Sequence, residues 1–309
     1  MIPFWVAQVI CLAIMAMDML ARTWRIIWLL RGVGQTVSFR DALILNAFGD
    51  AACAITPARL GGEPSRLAGM LRAQVRPEAG FVAIGYEVFA AWPVVIGFAV
   101  ALLWLYAPEW LVTTGPDFIQ KARDMWPWLV VVAGVTVVAA LAAKRMSAPW
   151  AHWIKRPANR VRLYWRKMPI RPLVVSLPLT AVNVVGRTAI LPILAMTLAN
   201  PPPLGPMVLG SFALLYSQLV LPTPAGVGGV EFGFFAGAAG RFEGGEGLIL
   251  ALWRFYTLGL GVLLGGYFLV TLYGWPTARR LIVGRRGPVS AVGTGAQPVA
   301  EESVESPGD

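Results

Sequence analysis

Two short segments gather residue types able to hold a charged group. T-P-A-R-L-G-G-E runs from Thr56 to Glu63 with Arg66 just beyond, and T-P-A-G-V-G-G-V-E runs from Thr223 to Glu231. In each, proline removes a backbone donor and glycine loosens the chain, so an incoming helix must turn. Interrupted helices leave amides without partners, and helix N-termini and amide nests favour anions such as phosphate. Gly61, Gly62, Gly228 and Gly229 let a polar group approach the backbone, and Arg59 and Arg66 can grip a phosphate through parallel bonds. Glu63 and Glu231 can balance these arginines, bind an amine or carry a proton. The same residues also admit plainer roles: orientation charge for Arg66, helix cap for Glu63, close helix packing for Gly228 and Gly229.

The two segments fall in register at an offset of 167. Upstream, Asp18-x-x-x-Arg22-Thr23 matches Asn183-x-x-x-Arg187-Thr188 at an offset of 165, in the same order, which points to an internal duplication. Glu87 and Arg254 occupy equivalent positions with opposite charge. Arg22, Glu87, Arg187 and Arg254 lie in or at the ends of apolar runs, where burying a charge costs at least about 2.5–3.5 kcal/mol. Each is expected to have a polar partner, a Glu87–Arg254 pair being one candidate.

The elements that must position these residues are membrane helices. Hydrophobic residues make up 57% of the 309-residue chain and charged residues 14%. Runs at about 2–20, 81–106, 127–143, 173–199 and 248–274 suit a bilayer core of about 30 Å. The stretches 41–56 and 206–222 lead into the two breaks, and short helical pieces at about 64–75 and 230–240 follow them. This predicts two hairpins that enter the membrane and return on the same side, although the count alone leaves full crossings open.

The net charge of +10 concentrates in loops. With the N-terminus outside, segments 22–40, 57–80, 144–171 and 275–309 are cytoplasmic and hold 21 basic residues, against 3 in the outside segments 107–126 and 200–247. That bias follows the positive-inside rule. No lysine or arginine precedes the first apolar run, so it is expected to stay as an anchor. Segment 144–171 interleaves nine basic residues with Trp150, Trp153, Tyr164 and Trp165, which suits the headgroup layer of an anionic leaflet. The tail 276–309 is expected to be disordered and cytoplasmic.

In this topology the two hairpins open on opposite faces. The expected fold is thus an all-α polytopic helical bundle over 1–275 with two inverted repeats, about 1–106 and 172–274, each holding a broken re-entrant hairpin. Transporters use this plan, with a binding site where broken helices meet. A duplicated scaffold of structural meaning alone is the alternative. Cys11, Cys53 and His152 offer no metal or triad spacing, no nucleotide loop is present, and the charge placement argues against nucleic acid. No catalytic residue, metal or cofactor is expected.

P-A-R-L-G-G-E-P-S-R (57–66) and P-A-G-V-G-G-V-E (224–231) resemble the two signature regions of the lysylphosphatidylglycerol synthase transmembrane-region family, also called flippase-like membrane proteins. The family pattern has P-x-R-x-G-E and P-G-G-x-G-x-x-E; this chain inserts a glycine before Glu63 and has Ala225 where a glycine is usual. The resemblance implies translocation of a polar or anionic lipid across the inner membrane, with Arg59, Glu63, Arg66 and Glu231 in the site. The family's two-part synthases add a soluble aminoacyl-transferring domain. Here about 35 residues follow the last apolar run, so a transporter rather than a synthase is expected. A small-solute or ion transporter and an accessory subunit for lipid-linked sugar metabolism are the alternatives.

Overall fold

The computed structural model describes residues 2–109, 150–238 and 244–274, with Phe242 and scattered positions between 120 and 138. The expected span 127–143 and tail 276–309 lie largely or wholly outside the described residues. The contacts below belong to one compact unit, Met1–Phe268; of the second, Leu269–Asp309, only the end of the last helix to Gly274 is described.

Among the described residues the protein is all helical. The helices are α1 (Phe4–Gly32), α2 (Phe39–Ile55), α3 (Gly62–Arg72), α4 (Pro77–Tyr106), α5 (Trp150–Lys167), α6 (Ile170–Ala195), α7 (Leu204–Ser217), α8 (Gly229–Ala238), α9 (Glu246–Arg254) and α10 (Leu260–Tyr273). A π-helical turn, Phe255–Gly259, joins α9 to α10. Among the described residues four helical runs are long and apolar enough to cross a membrane: α1, α4, α6 and the run Glu246–Leu272.

Hydrophobic residues point outward on these helices because their solvent is a bilayer. On α4, Phe81, Phe89, Trp92, Ile96, Val100 and Trp104 recur every three to eight positions and are all exposed. In water such a stripe would be an association hazard. Facing lipid, it is the ordinary exterior.

α1 is 29 residues long, a rise of about 43 Å, and it passes through two separate apolar cores. Its Cys11 and Met15 pack with α6 to α9 around Leu194, Phe234 and Trp253. Its Ile26, Leu29 and Leu30 pack with α2 to α4 around Leu45, Met70 and Val82. Asp18, Arg22 and Arg25 lie in the stretch between. The expected span ended near residue 20, with Arg22 and Arg25 counted as loop charges; instead the helix continues to Gly32 and both guanidiniums are held inside. Charge counting treats every arginine as solvated, and it fails where a carboxylate waits on another helix.

α2 and α3 form an antiparallel hairpin, and small residues let them close. A side chain at Gly49 would collide with Arg66, one at Gly69 with Leu45, and one at Gly62 with Cys53. α7 and α8 pair in the same antiparallel sense, with Leu214 beside Gly233 and Leu221 against Gly229.

Both hairpins turn by the same backbone path. The Arg59 amide donates to the Thr56 carbonyl (3.3 Å) and the Leu60 amide to that of Pro57 (3.1 Å). In the second hairpin the Gly226 amide donates to Thr223 (3.1 Å) and the Val227 amide to Pro224 (3.0 Å). The two residues after each proline are left-handed: Ala58 and Arg59 at φ 49° and 59°, Ala225 and Gly226 at φ 50° and 69°. Positive φ at both central positions is the sign pattern of a primed turn. The turns meet, Pro57 and Pro224 forming an isolated antiparallel β-bridge.

α5 lies along the first turns of α4. Its Val161 and Tyr164 pack against that core, the Tyr86 hydroxyl donates to the Trp165 carbonyl (3.1 Å), and Arg160 reaches Glu78 (3.3 Å). Arg160, Arg162, Arg166 and Lys167 remain exposed.

Candidate functional site

The charged residues between the two apolar cores and at the second hairpin fall into three groups. In the first, Asp18 on α1 is 1% exposed and is met from two helices. The Arg187 Nε and Nη2 of α6 donate to its Oδ2 at 3.1 and 2.9 Å, Asn183 donates to its Oδ1, and Arg22 stands 3.1 Å away. Arg22 also clasps Asp50 of α2 with two bonds of 2.7 and 2.8 Å. A bidentate guanidinium–carboxylate pair is among the stronger polar contacts. The close approach of α10 at Asp50 requires Gly261, whose added side chain would meet the Asp50 Cβ at 2.8 Å.

The second group surrounds Glu87 of α4, which is 5% exposed. Arg25 binds its Oε1 and Arg66 its Oε2 at 2.5 Å; Arg25 also donates to Thr180 (2.9 Å), and Arg66 to Glu63 (3.1 Å). Four charges thus join α1, α3 and α4 with none left over.

The third group closes the second hairpin. Arg254 places Nη2 2.6 Å from Glu231 Oε1 and donates through Nη1 to the Ala225 carbonyl (2.9 Å). The other Glu231 oxygen accepts the Gly228 amide at 2.7 Å, so Glu231 caps its own helix while it holds Arg254.

Each of Arg22, Glu87, Arg187 and Arg254 has the polar partner expected of it. The Glu87–Arg254 pair is not formed, and the reason is local. Both halves tie the acid after the break to the equivalent site on the long helix. In the second half that site is Arg254, which meets Glu231 directly. In the first it is Glu87, so a cation, Arg66, must stand between it and Glu63.

The expectation of open amides at the breaks is corrected as well. The amides of Arg59, Leu60, Gly61 and Gly62 all donate within the first turn, and those of Gly226, Val227, Gly228 and Val230 within the second. The tight left-handed turns satisfy most of the donors that a simple helix end would leave free; the amides of Glu63 and Gly229 are not among those bonded. Gly62 and Gly229 sit against Cys53 and Leu221, Gly61 against Thr56, and Gly228 holds φ 87°. The glycines thus shape the loops, and Gly229 also lines a recess between α7 and α8.

Arg59 differs from the other arginines. Its Nη1 donates to neutral Gln218 (3.1 Å) at the end of α7, and among the described residues it forms no ion pair. It lines a cavity of about 130 Å³ with Asn183, Arg187 and Tyr216. On the far side of Arg187 lies an apolar groove of about 370 Å³ between α1 and α10, walled by Leu12, Ala16, Leu20 and Leu264 with Asp50 at its polar end. A third recess of about 460 Å³, lined by Met207, Leu214 and Phe234, opens between α7 and α8.

Sequence reading did not place Asp18, Arg25, Asp50, Asn183, Tyr216 or Gln218 in the site. Asp18 and Asn183 were visible as members of the upstream repeat, and Asp50 as an acid well inside an apolar helix, which itself signals a buried partner. Tyr216 and Gln218 carry no such signal. Among the described residues no cluster of acids, cysteines or histidines is arranged to hold a metal.

The comparisons with known proteins agree with this architecture. The family described as Lysylphosphatidylglycerol synthase TM region matches residues 1–265. No curated protein and no solved structure matches the chain. The chain belongs to the lysylphosphatidylglycerol synthase transmembrane-region family and is a membrane protein.

Proposed function

We propose that this member of the family is a lipid translocase of the inner membrane, built from two inverted repeats with a re-entrant helical hairpin in each, and that it acts as a transporter rather than an enzyme. The observation that carries the reading is the meeting of the two breaks. Pro57 and Pro224, equivalent in the repeat, are bridged, and the turns around them share backbone path and hydrogen bonds. Re-entrant hairpins are favoured by length. α2 has 17 residues and α7 has 14, rises of about 25 and 21 Å, short of a core of about 30 Å.

An N-terminus outside and a cytoplasmic tail follow from the basic loops. On that topology α5 lies at the cytoplasmic surface, with its exposed arginines against an anionic leaflet. A lipid, rather than a small solute, is favoured by the apolar groove that reaches the charged band, since an acyl chain needs a dry wall beside the path of its headgroup. The groups outside that path, Glu63, Arg66, Glu87 and Arg25, brace the first hairpin. Arg59 and Arg187 face the route, and Glu231 with Arg254 closes the second hairpin.

The test is a fluorescent-lipid translocation assay in liposomes comparing the wild type with Arg59→Ala and Glu231→Ala. Wild-type activity above empty liposomes, reduced in both variants, is expected. A wild type no faster than empty liposomes for anionic and aminoacylated phospholipids alike overturns the reading.

A further inference from the structure

The positive charge of the central band is unevenly spread, and the imbalance falls in one place. Arg22 is neutralised by Asp50 on α2. The register-equivalent of Asp50 in the second half is Ser217, whose hydroxyl is turned to the Leu214 carbonyl (3.0 Å). Among the described residues Arg187 therefore has a direct ion pair only with Asp18, which Arg22 also contacts, and it reaches Asp50 only at longer range. Arg59 is the second asymmetry. Its equivalent is Gly226, the natural occupant of a left-handed turn, yet the first half keeps a long cationic side chain there at φ 59°. Strained backbone positions of this kind cluster at ligand-binding sites. Three guanidiniums, of Arg22, Arg59 and Arg187, thus stand against two carboxylates, Asp18 and Asp50, and the two less-compensated ones line the same 130 Å³ cavity.

Resting on the translocase reading, we infer that this cavity holds the phosphate of an anionic diacyl lipid between Arg59 and Arg187, with one acyl chain in the adjoining groove between α1 and α10. Arg187 is the wall common to both spaces. Its guanidinium is fixed by Asp18 on one side, so it can turn a remaining donor to the phosphate without first being ordered. Tyr216 adds a hydroxyl on the same cavity wall. The 370 Å³ groove is lined almost wholly by carbon, with Asp50 and Arg187 at its polar end. The site therefore selects an amphiphile: the charge excludes an uncharged diacylglycerol, and the groove discriminates against a free phosphate ester.

Binding to the purified full-length protein is measured by native mass spectrometry or calorimetry with three probes. These are dioleoyl phosphatidic acid, dioleoylglycerol with the same chains and no phosphate, and glycerol phosphate with no chains. The phosphatidic acid is expected to bind at least about tenfold more tightly than either other probe, the value of one charge-assisted bond. Arg59→Gly, which removes the guanidinium and the left-handed strain together, is expected to lose that margin while melting no lower than the wild type. Arg59→Lys recovers part of it. Ala16→Trp, on an exposed position of the groove wall, weakens the lipid and leaves glycerol phosphate unchanged. Equal binding of dioleoylglycerol, equal binding of glycerol phosphate, or full affinity in Arg59→Gly overturns the site. If the binding pattern holds while the wild type translocates nothing, the translocase reading falls and the site stands; if the wild type translocates and the variants bind and translocate as it does, the reverse.

Discussion

Asp18 on α1 accepts a hydrogen bond from Asn183 on α6, and the two residues hold the same place in the two upstream motifs, 165 positions apart. Equivalent residues that touch each other lie where an axis relating two halves would pass, as in any self-complementary contact. Pro57 and Pro224 do the same at the breaks. The polar identity at this spot is asymmetric, acid on one side and amide on the other, which is why two arginines converge on one carboxylate.

Asp18→Asn leaves Arg187 buried without a carboxylate. Removal of one partner from a buried pair costs about 3–5 kcal/mol. The variant is expected to purify in low yield and melt earlier, and Asp18→Asn with Arg187→Gln to recover much of the loss. Fluorescence-detected gel filtration after a temperature series reads both.

Glu87→Gln removes the carboxylate between Arg25 and Arg66, while Arg254→Gln frees only Glu231, which keeps its bond to the Gly228 amide. The first is expected to be the more destabilising. A double-mutant cycle between Glu87 and Arg66 should return a coupling of about 0.5–3 kcal/mol, and one between Glu87 and Arg254 about zero. Coupling of the second pair equal to the first would contradict the geometry.

Arg59→Gly relieves a left-handed non-glycine residue, worth about 1–2 kcal/mol, against about 0.5–1 kcal/mol for glycine's greater freedom when unfolded. The melting temperature is expected to hold or rise slightly. Translocation should fall, so that stability and function move apart. A parallel loss of both would make Arg59 a structural residue only.

Cysteines at Pro57 and Pro224, with Cys11 and Cys53 replaced by alanine, are expected to cross-link within one chain on mild oxidation, because directly bridged positions lie about 4.5–5.5 Å apart. Peptide mapping identifies the bond. Placement of cysteine at Ile55 and Val220 on the same background supplies the comparison.

Much of this was legible beforehand. The two hairpins follow from Pro57 and Pro224 with their glycines, and the helices flanking them end within a few residues of the expected positions. The need for partners at Arg22, Glu87, Arg187 and Arg254 follows from the cost of burying charge. The partners themselves were not legible, because they come from helices far apart in the chain: Arg25 meets Glu87 across 62 positions and Arg187 meets Asp18 across 169. The reach of α1 beyond residue 20 was hidden for the same reason. Nor does sequence reveal that the turn amides bond within their own loops, since that depends on Ala58, Arg59 and Ala225 adopting a conformation their residue types seldom choose.

The passage of α1 through two dry cores with a charged band between them has a mechanical consequence. Interdigitated side chains resist sliding, because any shift opens voids. A guanidinium with several acceptors within reach can exchange one for another at nearly constant energy. Arg22 already touches both Asp18 and Asp50, and Arg66 both Glu63 and Glu87. Because the one continuous helix α1 belongs to both cores, they are held in fixed register, and the guanidiniums of the band are the contacts that can re-pair without opening either core.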